Sequence, residues 1–310
     1  MKKRRMAVLA AAAAMVGSLI GGGAVSAENP RIVSVDMPIE VLFDARKLAS
    51  DVKPKLVDGT VLVPLRVIAE KMDSTIVLNG NNITVTKGKN KIELTIGSKT
   101  AVINGKPTTL LQAATVENGR TLVPLRVISE GLNVAVEWDG ILKFVWVGSK
   151  EVPELNDIVK PTAFKPYMDY YKGGPTGIMD GGYGTYTNAT VVELKDFPYK
   201  SGPIIYYRFD LAYDQNNNVY MQSTENTISS INPRYYLLSK GSVPVYSNPL
   251  YYLRQIPKKG IHIYYNDTRN LGGKYSSFRK IEYIDAGHTI PLGDKKSSAV
   301  LIKNPWRLGS

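Results

Sequence analysis

Cysteine is absent from this 310-residue chain and histidine nearly so, with His262 and His288 the two present. Without thiols there is no disulfide framework, no thiolate metal ligand and no cysteine nucleophile, so the domains must hold through their cores. Two imidazoles are too few for a three-histidine metal centre. His262, between Ile261 and Ile263, reads as a strand residue, and His288, after Gly287, as a turn residue. A Gly-x-Ser-x-Gly nucleophile elbow is missing as well. Beyond Lys2-Lys3-Arg4-Arg5 no dense basic run occurs, which speaks against nucleic acid as a partner. The last absence is local: no tyrosine precedes Tyr167, and all 19 lie from there onward. Two stretches of different composition have been joined.

Residues 1–27 read as a secretory signal peptide. Four basic residues precede an apolar run over residues 6–20, and Val25-Ser26-Ala27 supplies the small residues before a cleavage site. The run falls short of the roughly 20 residues a membrane span needs, so cleavage after Ala27, with no stable span left, is expected. Cleavage would remove four of the 39 basic residues and none of the 27 acidic ones, leaving 35 against 27, about +8. That excess favours an anionic cell-wall polymer or glycan as partner, at a secreted and envelope-associated location.

One phrase is written twice. Residues 61–70 read VLVPLRVIAE and residues 121–130 read TLVPLRVISE, a 60-residue offset. Asp58-Gly59 answers Asn118-Gly119 at the same offset, and both dipeptides suit the positive φ of a tight hairpin turn. After each comes a β-prone Leu-Val pair, then Pro64 or Pro124, whose fixed φ and missing donor suit a helix start. Leu65, Ile68, Ala69 and Met72 then fall on one helical face, as do Leu125, Ile128, Ser129 and Leu132 in the second copy. Arg66 with Glu70, and Arg126 with Glu130, are spaced to meet on the helix flank, where such pairs contribute only about 0.2–0.5 kcal/mol and read as structural. Strands are expected over residues 75–78, 83–86 and 91–96, and again over 135–138 and 143–147. A repeat of this period means one supersecondary unit used twice.

Residues 38–147 resemble the secreted bacterial domain family named for the N-terminal domain of copper amine oxidase, a stalk-like module. The doubled LVPLRVI core, the stretch over residues 96–106 and Val136-Glu137-Trp138-Asp139 carry the resemblance. It implies an α+β module with a twisted antiparallel sheet around a helix, no catalytic residue, no copper ligand and no cofactor. The first copy departs from the family pattern at Asp44-Ala45-Arg46, where Asn-Gly-Lys is usual, and at Leu78-Asn79, where Trp-Asp is usual.

Residues 148–166, with Pro153, Pro161 and Pro166 among charged residues, read as a linker. Residues 167–310 read as a mainly β, tyrosine-rich domain, a sandwich or small barrel. Alternation over residues 205–213 and turn signals at short intervals carry that reading.

Candidate chemistry in this half is thin. Asp214, Asn216, Asn218, Tyr220 and Glu225 have a calcium-loop spacing, but valine stands where the loop needs glycine, and a plain hairpin turn is preferred. Gly-rich segments at residues 173–174 and 181–184 lack the strand-to-helix setting of a phosphate cradle. Asp169, Asp180, Asp210, Glu225 and Asp285 are the carboxylates from which a glycoside-hydrolysing pair would come. The tyrosine doublets are the most suggestive feature, because strand neighbours point to opposite faces. Tyr170, Tyr206, Tyr235, Tyr251 and Tyr264 are the candidate rings for a ligand platform, with cross-strand packing as the preferred use of the doublets. The overall expectation is a non-catalytic envelope protein whose stalk module presents a binding domain; the alternative is a secreted hydrolase with its site in residues 167–310.

Overall fold

The computed structural model describes residues 29–179, 185–226, 233–258, 260–286, 290–292 and 296–308, and the segment expected as a signal peptide lies outside them. The class is α+β and mostly β. The first part carries β1 (Ile32–Asp36), β2 (Glu40–Phe43), β3 (Arg46–Lys47), β4 (Lys55–Val57), β5 (Thr60–Pro64), α1 (Leu65–Lys71), β6 (Thr75–Asn79), β7 (Asn82–Lys87) and β8 (Asn90–Thr95). It continues with β9 (Thr100–Ile103), β10 (Lys106–Thr109), β11 (Thr115–Glu117), β12 (Arg120–Pro124), α2 (Leu125–Leu132), β13 (Val136–Asp139) and β14 (Phe144–Val147).

Both copies fold alike. Asp58 and Gly59, like Asn118 and Gly119, hold positive φ in the turns that close β4–β5 and β11–β12. β5 and β12 then pair antiparallel, with Val63 facing Val123, Leu62 facing Pro124 and Pro64 facing Leu122. Exchanging the two copies maps that pairing onto itself, so a local two-fold passes between the valines. Helix α1 buries Leu65, Ile68 and Ala69, and α2 buries Val127, Ile128 and Leu132, all in one core with β7, β8, β9 and β14. Sheets β11-β12-β5-β4, β10-β9-β8-β7-β6 and β13-β14-β2-β3 surround it. In α2, Gly131 is required by packing: a side chain there would collide with Ile92 of β8.

The second part carries α3 (Leu155–Ile158), β15 (Thr162–Ala163), β16 (Asn188–Val192), β17 (Tyr199–Ser201), β18 (Ile204–Asp214), β19 (Val219–Glu225), β20 (Tyr235–Leu238), β21 (Val245–Ser247) and β22 (Gln255–Lys258). After these come β23 (Ile261–Asp267), α4 (Tyr275–Phe278), β24 (Tyr283–Asp285), β25 (Ile290–Leu292) and β26 (Lys296–Lys303). One sheet runs β1-β18-β19-β23-β22, with β17 also on β18; the other runs β15-β16-β26-β24-β20-β21, with β25 on β26. Phe209, Leu211 and Met221 of the first sheet meet Val192, Leu237, Ile284 and Ile302 of the second, which makes a sandwich.

Two features differ from expectation. β1, ahead of the repeat, pairs with β18, so the repeat module is inserted between the first strand of the sandwich and all the others. Residues 148–166, expected as a linker, carry α3 and β15 and bury Val152, Leu155 and Phe164 in three separate cores. Their prolines and charges cover a surface, and widely spaced apolar anchors hold the segment down.

The module lies on the outer face of the first sheet. Leu42, Ala45, Phe144 and Trp146 pack against Ile205, Tyr207 and Ile261. Ala45 sits fully buried at positive φ, which explains the departure from Asn-Gly-Lys: its methyl fills this contact. Within the contact, buried Arg208 forks onto Asp210 (Nε–Oδ2 3.0 Å, Nη2–Oδ1 2.9 Å). Its Nη1 donates to the carbonyls of Pro38 and Leu142, both at 3.0 Å, and the guanidinium lies 5.1 Å from the Phe144 ring centroid. Arg46 of the module donates back to the carbonyls of Asp196 (2.8 Å) and Pro198 (3.1 Å). Replacing Arg208 with alanine strands a buried carboxylate and two carbonyls, and about 3–5 kcal/mol of stability should be lost in urea titrations. The double change Arg208→Met with Asp210→Leu should cost clearly less, and an equal or larger loss would show that the pair is not what closes this contact.

Candidate functional site

The tyrosine platform does not form. Tyr206, Tyr235 and Tyr264 point into the sandwich and are buried. Their doublet partners Tyr207 and Tyr265 point out of the first sheet, Tyr207 against the module and Tyr265 into a core with Ile32 and Leu250. Tyr236 points outward from the second sheet, beneath the segment that follows β15. Alternation along the strands is as expected, but both faces of both sheets are covered, so the rings serve packing. Tyr251 is 58% exposed, on the turn Tyr251–Leu253 away from the others. Tyr170 is half-buried on the 3-10 turn Lys165–Tyr171, stacks edge-on at 5.2 Å against Tyr283 and donates to Glu282 (3.0 Å). Burial and that carboxylate push its phenol up to about 12.

Carboxylates are scattered as well. Asp210 faces the module, engaged by Arg208. Asp285 accepts a 2.8 Å bond from Tyr171 on the outer face of the second sheet, and Asp169 pairs with Lys172 at 2.9 Å. Asp214 organises its turn and is filled by doing so: it accepts from the Asn216 and Asn218 amides, the Asn218 side chain and the Tyr220 hydroxyl, at 2.8–3.0 Å. Burial alone would raise its pKa, but those donors, Asn218 foremost, hold it below the ordinary range. Glu225, the last position of the calcium-loop spacing, ends β19 and so lies about 20 Å along the strand from that turn; the loop is a hairpin. Among the described residues no group of three or more His, Asp or Glu side chains has metal-holding geometry. Asp180, residues 181–184 and His288 lie outside the described residues.

Glu225 was not expected to stand apart, yet it does. Its carboxyl is buried inside the sandwich, beside Tyr199, Tyr206 and Tyr235, with Ser223 donating to Oε1 at 3.1 Å. His262 is its cross-strand neighbour, accepts from Arg254 through Nδ1 (2.8 Å) and stacks on Tyr264. Burial, then Arg254, lowers the His262 pKa. Burial pushes Glu225 up to about 7 against the small opposing effect of Ser223. The alternation of β19 places this residue on the interior face; the burial of its carboxyl there is a tertiary fact.

An open groove of about 790 Å³ lies over the 3-10 turn, floored by Ala163, Pro166, Met168, Tyr171 and Met179, with Lys165, Asp169 and Lys172 on its rim. Two smaller clefts in the module are equivalents at the 60-residue offset. One joins Ser50, Asp51, Pro64, Arg66 and Glu70 with Arg120 of the other copy, and the second joins Leu110, Leu111, Pro124, Arg126 and Glu130 with Thr60. The Arg126–Glu130 pair spans 3.6 Å in solvent and contributes little. Trp138 packs against the module core, with Asp139 capping the amides of Ile141 and Leu142.

The doubled hairpin-and-helix with its internal two-fold bears on family. Residues 42–147 match the family described as the copper amine oxidase N-terminal domain. No curated protein matches the chain. The match begins within β2 and ends with β14, so it covers the inserted module and excludes β1 and the sandwich.

Glu225 generates a pH prediction. Its pKa in the fold exceeds the unfolded value, so the folded state holds a proton that the unfolded chain releases above about pH 4.5. Stability is full below that pH and falls as pH rises through about 7, by on the order of 3 kcal/mol. Urea titrations at pH 5 and pH 8 should show this difference, and Glu225→Gln should shrink it by more than half. An unchanged pH dependence in the variant would place the ionisation elsewhere.

Proposed function

We propose that this chain is a secreted, non-catalytic protein of the cell envelope. In this reading the copper amine oxidase N-terminal domain is a stiff extension of the tyrosine-rich sandwich, and the sandwich binds an anionic wall polymer or glycan. The groove over Lys165–Tyr171 carries the proposal. Its thioether and proline floor suits the apolar faces of sugar rings, and Lys165 at its rim, beside the Lys172–Asp169 pair, suits carboxylate or phosphate groups along a polymer. The signal segment and the positive charge of the remaining chain fit the same destination.

Pull-down on purified wall fractions tests it. Lys165→Glu combined with Met168→Asp should reduce retention about tenfold, an effect that grows as salt is lowered. Tyr251→Ala, outside the groove, should leave retention unchanged. Retention unaffected by the groove changes would refute the assignment. A second reading, a secreted hydrolase of an envelope polymer, is favoured by Glu225, whose pKa burial raises to about 7, the range of a general acid. Release of wall fragments that disappears in Glu225→Gln would support that reading over binding.

A further inference from the structure

β6 (Thr75–Asn79) ends its sheet and pairs, among the described residues, with β7 alone. Sheet edges offer unpaired backbone groups to other strands, and proteins guard them with charge, proline, bulges or shortness. β6 has none of these guards. Its sequence TIVLN is uncharged, its pairing with β7 is regular throughout, and Val77 and Leu78 are 55% and 61% exposed. The far edge of the same sheet, β10, carries Lys106 and Pro107. β13, which occupies the place of β6 in the second copy, carries Glu137, paired with Lys150, and Asp139. One copy of a duplicated edge is guarded and the other is bare.

The register says what fits the bare one. Asn79 and Asn82 flank a two-residue turn and form its closing hydrogen-bonded pair, so Val77 and Thr75 also bond to β7. The amides and carbonyls of Ile76 and Leu78 therefore face the open side. An antiparallel strand centred on Val77 meets both residues, and β6 is itself such a strand. Ile76 exchanges bonds with Leu78 of a second copy, and Leu78 with its Ile76, about a two-fold at Val77. The chain already uses this arrangement internally, where β5 and β12 pair about Val63 and Val123. On the core side, Leu78 lines a shallow cleft with Leu65, Ile76 and Ile83, edged by Arg66 and Arg120, whose apolar end the second copy's Leu78 would cover. We infer that β6 is the interface of a homodimer, in which two of these sheets join edge to edge into one.

The absence of cysteine makes the test clean. Val77 faces Val77 of the second copy as a non-hydrogen-bonded pair with Cα atoms about 4.5 Å apart, within disulfide reach. Val77→Cys in the full chain should oxidise to a covalent dimer, whereas Val33→Cys, 54% exposed on β1, should stay monomeric. In sedimentation equilibrium, Val77→Lys should weaken the dimer about tenfold or more by placing like charges opposite each other, and mixing it with Val77→Glu should restore it. An unmodified chain that remains monomeric at concentrations on the order of 100 µM would overturn the inference. So would a dimer indifferent to Val77→Lys, or equal cross-linking through residues 33 and 77.

Discussion

The buried fork of Arg208 onto Asp210 is the interaction on which the arrangement of this molecule depends. A guanidinium and a carboxylate taken out of water are stable only when the remaining donors find acceptors. Arg208 finds them in the carbonyls of Pro38 and Leu142, at the two places where the repeat module meets the sandwich. Pro38 lies on the chain entering the module and Leu142 just before its last strand. The ion pair thus grips both ends of the inserted domain at once, and Arg46 repeats the grip from the other side.

From that contact follows the layered plan. The module covers one face of the first sheet, the second sheet covers the other, and the 3-10 turn Lys165–Tyr171 with its flanking residues covers the outer face of the second. Strand alternation then has no solvent side on which to place aromatic rings. Tyr199, Tyr206, Tyr235 and Tyr264 are consumed in packing, and the same coverage buries Glu225. The open groove lies in the outermost layer, over residues 163–179.

Much of this was legible locally and some was not. The repeat could be read because its signals are short-range: a turn dipeptide with positive φ, a proline at a helix start, an apolar stripe at helical spacing. The tyrosine doublets could be read as strands, but which face meets solvent depends on what another part of the chain lays over it. β1 has five unremarkable residues whose partner strand lies some 180 residues away, and nothing in IVSVD points to β18. Residues 148–166 hide their anchors among prolines and charges, one buried side chain every few residues, below any periodicity. The calcium-loop spacing failed because a strand, unlike a loop, carries its last residue away from its first.

An inserted module held at both ends is a different object from a spacer on a tether, and the distinction is thermodynamic. If the repeat module and the sandwich share their contact as tightly as Arg208 and Ala45 imply, neither part unfolds without the other. Differential scanning calorimetry of the unmodified chain measures this directly. A single transition, whose calorimetric and van't Hoff enthalpies agree, is the expected result. Two resolved transitions, or a calorimetric enthalpy well above the van't Hoff value, would show two independent domains and contradict the account.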